Sequence, residues 1–173
     1  RAYMLTLRLF QAADTDLLLQ AVSDARMLMR FAGPRYHYPL TAAQIQADVD
    51  DAEVVLFSLI DADGRVVGHA QIKNLPNSFL LGRILIWDKA LRGQGLGKRV
   101  VAQLVDIGFK RFAHDTAELN VFEGNLAAIR CYQQVGFHIQ PLRSKTVQIE
   151  GETWRSINMV LSRADYLKNS IHT

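Results

Sequence analysis

A chain of 173 residues, 49% of them apolar and 21% charged, has the composition of one ordinary globular domain. Its formal charge of +3 is spread through short pairs such as Lys98-Arg99 and Lys110-Arg111. That pattern lacks the basic stripe and aromatic ladder of a nucleic-acid module, so no nucleic-acid partner is expected. No apolar run reaches the ~20 residues needed to span a bilayer, so no membrane partner is expected either. The lone cysteine, Cys131, has no partner for an intramolecular disulfide and suits a reducing, cytoplasmic setting.

Residues 3–10 alternate like a strand and show no small-residue cleavage site, which argues against a signal peptide. Asp14 or Thr15 then caps a helix that Leu17, Leu18, Ala21, Ala25 and Leu28 carry to about Met29, and Gly33-Pro34 breaks it. Thr41, three residues before Gln44, opens a second helix to about Asp51. Strands at 53–60 and 66–72 flank Asp61-Ala62-Asp63-Gly64, a hairpin turn by composition. A strand at 79–88 leads into a glycine-rich turn, and a long helix follows with Leu96, Val100, Val101, Leu104, Ile107 and Phe112 at helical spacing. A strand at 116–122, a helix at 126–134 and a hairpin of 137–149 and 153–161, turned at Glu150-Gly151-Glu152, complete a single domain over residues 1–173. This order predicts an α/β chain with a mixed sheet rather than a doubly wound one.

The turn between strand and long helix is the most informative segment. Arg92-Gly93-Gln94-Gly95-Leu96-Gly97 places three glycines in five residues at a helix N-terminus. Backbone N–H groups free of side chains converge there, and the helix dipole favours an anion such as a diphosphate. A Walker loop would need Gly where Arg92 stands and Ser or Thr where Arg99 stands; the dinucleotide motif would need Gly at Lys98. The remaining pattern, Arg92-x-x-Gly95-x-Gly97, resembles the pyrophosphate loop of the GNAT superfamily, the acyl-CoA-dependent N-acetyltransferases. About thirty residues on, Asn125, Ala128, Tyr132, Gly136 and Phe137 are similar in order and spacing to the other half of that family's signature.

The resemblance implies a single GNAT-like domain, with a central, mixed, mostly antiparallel sheet whose strands splay and are flanked by helices. It implies acetyl-CoA as co-substrate and no metal. Leu85, Ile86 and Trp87 would offer backbone to the pantetheine arm, and the amides of Arg92, Gly93, Gln94, Gly95, Leu96 and Gly97 would hold the pyrophosphate. Asn125 reads both as an N-cap and as a pantetheine contact. Tyr132 lies seven residues later on the same helix face and would protonate the departing thiolate. The implied reaction moves an acetyl group to a primary amine by direct attack in a ternary complex. The acceptor is a small molecule or a protein N-terminus, since the resembled branch holds ribosomal-protein N-terminal, amino-acid and antibiotic acetyltransferases. A homodimer is compatible with it. The alternative is a non-catalytic CoA-binding or regulatory module on the same fold.

One departure favours that alternative. Many relatives carry a Glu on the strand before the glycine turn, where this chain has the uncharged Phe79-Leu80-Leu81-Gly82. Glu118, Glu123 and His69 are the candidate bases, with deprotonation by water as the default. Cys131 points about 100° from Tyr132 on the helix and reads as a small packing residue, not a nucleophile. The acceptor pocket is expected between the first two helices and the final hairpin. The aromatics of Gly33-Pro34-Arg35-Tyr36-His37-Tyr38-Pro39, with Trp87 or Trp154, would either wall it or plug their own loop. No acidic cluster stands out in that segment, which argues against a polyamine.

Overall fold

The computed structural model describes residues 4–170. Its strands are β1 (Thr6–Leu9), β2 (Val54–Ile60), β3 (Val66–Asn74), β4 (Phe79–Ile86), β5 (Thr116–Phe122), β6 (His138–Ile149) and β7 (Glu152–Ser162). Its helices are α1 (Thr15–Ala21), α2 (Ala25–Ala32), α3 (Ala42–Val49), α4 (Leu96–Arg111), α5 (Leu126–Val135) and α6 (Arg163–Ser170). The seven strands form one sheet in the order β1-β2-β3-β4-β5-β7-β6, antiparallel throughout except for the parallel β4–β5 pair. The mixed sheet is the one expected from the element order, and its mostly antiparallel pairing between helices is the one the resemblance implies.

Strand alternation divides the core in two. Phe57, Leu59, Ile84 and Ile86 face the layer built by α4 and α5, where Leu96, Val100, Val101, Leu104, Val105 and Phe109 form the buried stripe of α4. Val54, Leu56, Leu85 and Trp87 face Leu18, Leu28, Phe31 and Ile45 of α1, α2 and α3. Burying such side chains stabilises by about 1.5–3 kcal/mol each, which holds a helical layer on both faces of the sheet.

Three elements differ from the sequence expectation. The helix expected from Asp14 to Met29 is two helices, because Val22 is extended and Asp24 starts a new one, its Oδ1 accepting the Met27 N–H at 2.7 Å. The first strand occupies only Thr6–Leu9, and Tyr3, its expected start, lies outside the described residues. Finally, α6 was not foreseen. Ser162 Oγ accepts the Asp165 N–H at its start, and Arg163 ties it down through the carbonyls of Phe109, Phe112 and His114.

The feature that makes a site is the parting of β4 from β5. They pair only from Phe79↔Ala117 to Leu81↔Leu119, and among the described residues Gly82–Ile86 then have no strand partner on that side. On the other side, β3 registers Gln71 against Gly82 but His69 against Leu85, so Arg83 and Ile84 together oppose Ala70. This bulge puts Arg83 at φ 50, a backbone state costly for a non-glycine residue.

Candidate active site

Where β4 and β5 separate, a cavity of about 1100 Å³ opens between α2, the last hairpin and the start of α5. It lies against α2 and the final hairpin, two of the elements named for the acceptor pocket, but no residue of the expected second helix, now α3, lines it. Asn125 and Tyr132 both line it, so the seven-residue spacing brings them to one wall. Leu85, Ile86, Trp87 and the glycine turn are not part of that wall.

The three β4-end residues behave differently from one another. The Trp87 N–H donates to the Val67 carbonyl at 2.9 Å, so Trp87 faces β3. Antiparallel alternation then turns the Ile86 N–H and C=O toward the open β5 side. Leu85 and Trp87 put their side chains into the α1–α3 core and Ile86 packs against the α4 core.

At the glycine turn, the Arg92 amide is already bonded to the Lys89 carbonyl at 3.2 Å. Gly93 and Gly95 have φ values of 76 and 72, which explains glycine at both. Gly97 has neither excuse. Its backbone is not left-handed, and a Cβ there would meet nothing within 4 Å. Gly95 is the N-cap of α4 and supplies no side-chain cap, which leaves the first N–H groups of a sixteen-residue helix for an external acceptor. A cradle that a Cβ would fill, at the positive end of a long helix, fits a pyrophosphate.

Asn125 acts as the N-cap of α5, its Oδ1 accepting the Ala128 N–H at 3.3 Å, while the residue itself stays exposed. Tyr132 is half-buried against Phe137, ring centroids 6.5 Å apart, and still reaches the cavity. Burial, with a smaller contribution from Cys131, pushes its phenol up to about 12. Burial also raises the Cys131 thiol, partly countered by Lys98. A raised thiol is a poor nucleophile at neutral pH, in keeping with a packing role.

The three candidate bases separate cleanly. His69 is buried between Phe10 and Phe31, and burial, reinforced by the Arg83 charge, pushes it down to about 3. Glu118 is sealed by Ser78 Oγ at 2.6 Å, Asn158 Nδ2 at 3.2 Å and Arg143 Nη1 at 3.3 Å. Only Glu123 is exposed on the cavity wall, paired loosely with Arg155 at 3.8 Å.

The aromatic loop plugs rather than walls. Tyr36 is buried, and its hydroxyl donates to Asp48. Tyr38 turns its hydroxyl to the Ser23 carbonyl at 3.1 Å, and Gly33, Pro34 and Arg35 alone of that segment reach the cavity. Of the two tryptophans, Trp154 lines the cavity and Trp87 does not.

Sequence reasoning missed the polar floor. Arg83 pairs with Asp48, donates to Gln71 at 2.5 Å and lies 4.2 Å over the Tyr36 ring, all in the interior. This holds the bulged backbone in place and directs a cation to the cavity. The available signals were polar residues interrupting apolar strands, at Gln71 and Arg83.

Comparison with known proteins identifies the class. Residues 19–137 match the model of the Acetyltransferase (GNAT) family. The chain belongs to that family. It is 27% identical over 113 residues to Probable N-acetyltransferase YjcK of Bacillus subtilis (strain 168), a match covering 62% of this chain and 61% of that protein. The fold is that of spermidine N-acetyltransferase from Vibrio cholerae in complex with CoA and spermine, with TM-score 0.76 and 19% identity over 94% of this chain and 98% of that one. Aminoglycoside acetyltransferase AAC(6')-Ib in complex with coenzyme A gives TM-score 0.72 and 22% identity over 95% and 98%. Among the described residues no helix is long and apolar enough to cross a membrane, and no cluster of ligands for a metal is found.

Proposed function

We propose that the chain, as one domain, transfers an acetyl group from acetyl-CoA to a primary amine within a ternary complex. The observation that carries this is the placement of Asn125 and Tyr132 on the wall of the cavity opened by the parting of β4 and β5. Acetyl-CoA, when bound, supplies an activated acyl thioester. The amides from Gly93 to Gly97 hold its pyrophosphate, the free edge at Ile86 pairs with the pantetheine arm, and Asn125 bonds that arm while capping α5.

The acceptor nitrogen attacks the thioester carbonyl, the C–N bond forms and the C–S bond breaks. The Tyr132 hydroxyl gives its proton to the departing sulfur. Raised to about 12, the phenol is a proton donor throughout the neutral range. The proton of the amine leaves through water, with Glu123 the carboxylate on the cavity wall available to receive it. Thermal shift with acetyl-CoA, followed by thiol release across a panel of amines, tests the reading. An absence of acetyl-CoA stabilisation would sink it; about 2.7 kcal/mol is expected at 100 times the dissociation constant.

A further inference from the structure

We infer that the acceptor is an amine that itself carries carboxylate, not a polycation; this rests on the acetyl-transfer reading above. Eight of the side chains lining the cavity are Arg or Lys, and one, Glu123, is acidic. Some of these cations are neutralised nearby. Arg26 pairs with Glu152 at 2.6 Å and Glu150 at 3.6 Å, Arg35 and Arg83 share Asp48, Arg143 meets Glu118 and Arg155 meets Glu123. Eight cations against those five carboxylates leave three positive charges in excess. Arg30, Lys73 and Lys145 have no carboxylate partner among the described residues.

The positions of these cations are organised. Arg26 and Arg30 lie 5.2 and 5.7 Å from the Trp154 ring, which fixes guanidinium charge along the hairpin side. Arg83 is buried at the floor, and Lys73, half-buried on β3, lines the same cavity. The pyrophosphate does not account for this charge, because the glycine turn lies off the cavity wall. A polyamine or aminoglycoside would bring like charge into this enclosure. A carboxylate would find bidentate and point-charge partners there. The same field favours the neutral form of an amine inside the cavity, which compensates for the missing strand Glu.

The test has two arms. In thiol-release assays, glutamate and an acidic dipeptide are compared with glutamate diamide and spermidine; the first two distinguish a free amino acid from a peptide N-terminus. Whether or not any of these turns over, the melting temperature of the acetyl-CoA complex is read with glutarate and with cadaverine. We expect acidic acceptors to show kcat/KM at least about tenfold above the diamide, and glutarate to stabilise where cadaverine does not. Exposed Arg30→Gln combined with Lys145→Gln should raise KM for the acidic acceptor about tenfold and leave acetyl-CoA affinity unchanged. Glutarate stabilising no better than cadaverine, or spermidine matching the acidic acceptors, overturns the inference while acetyl transfer stands. A parent protein that acetyl-CoA fails to stabilise marks failure of the underlying reading instead.

Discussion

Two glycines of the same helix answer to opposite demands. Gly108, near the end of α4, would drive a Cβ to 2.1 Å from the Phe79 ring, and Phe79 is wholly buried. Gly97, in the first turn, would place a Cβ in open space. One lacks a side chain because the protein is there; the other lacks one with no protein to blame. Neither backbone conformation nor packing requires glycine at 97, which suits the phosphate-binding role proposed for this turn. Gly68 sides with Gly108, since its Cβ would lie 2.4 Å from the Leu85 carbonyl oxygen and so clash with the backbone of β4.

The strongest test of this contrast is Gly108→Val. It should cost about 3 kcal/mol of folding stability in urea titration, because overpacking against a buried ring outweighs the gain in helix propensity. Acetyl-CoA affinity of the folded fraction should not change. A variant as stable as the parent would show that Phe79 yields easily and would remove one side of the comparison.

Gly97→Val should do the reverse. The melting temperature without ligand should stay near the parent value, while the roughly 2.7 kcal/mol of stabilisation expected from acetyl-CoA at 100 times its dissociation constant should vanish. It is a cleaner probe than Gly95→Val, which forces a β-branched residue to φ 72 and adds backbone strain of about 1–3 kcal/mol. Unaltered affinity in folded Gly97→Val would detach the glycine turn from the cofactor.

Tyr132→Phe keeps the ring against Phe137 and removes only the hydroxyl. We expect kcat to fall about 10²-fold with little change in acetyl-CoA binding. The pH profile adds a second check. A general acid works while protonated, so with the phenol pushed up to about 12 the parent kcat should not decline through pH 10 on account of this group. A basic limb centred near 10 that disappears in Tyr132→Phe would mean that the phenol is not perturbed as the burial implies.

The smallest effect is reserved for Cys131→Ala. Turnover should stay within about an order of magnitude and the kinetics should remain sequential, as befits a thiol raised by burial. A trapped acyl-enzyme, or parallel double-reciprocal lines, would restore a covalent route.

Local chemistry made much of this molecule legible without coordinates. The glycine turn, the α4 stripe, the Asn125 cap and the phase of Tyr132 all depend on residues a few positions apart, where helical and strand periods apply directly. Two local signals were nonetheless overlooked. Ser23-Asp24 marks the start of α2, and Ser162 three residues before Asp165 marks the start of α6, yet continuous apolar spacing in one case and a strong strand in the other masked them. What only the tertiary structure decided is how far β4 and β5 run together before parting, and the β3–β4 bulge that sets Arg83 among long-range partners, because both depend on residues far apart in the chain. Asp48, Gln71 and Arg83 come from α3, β3 and β4 and meet 35 and 12 residues apart in the chain. The same holds for the charge of the cavity. Scattered arginines and lysines with a modest net charge look like a solvated surface in sequence, and only folding gathers eight of them around one enclosure.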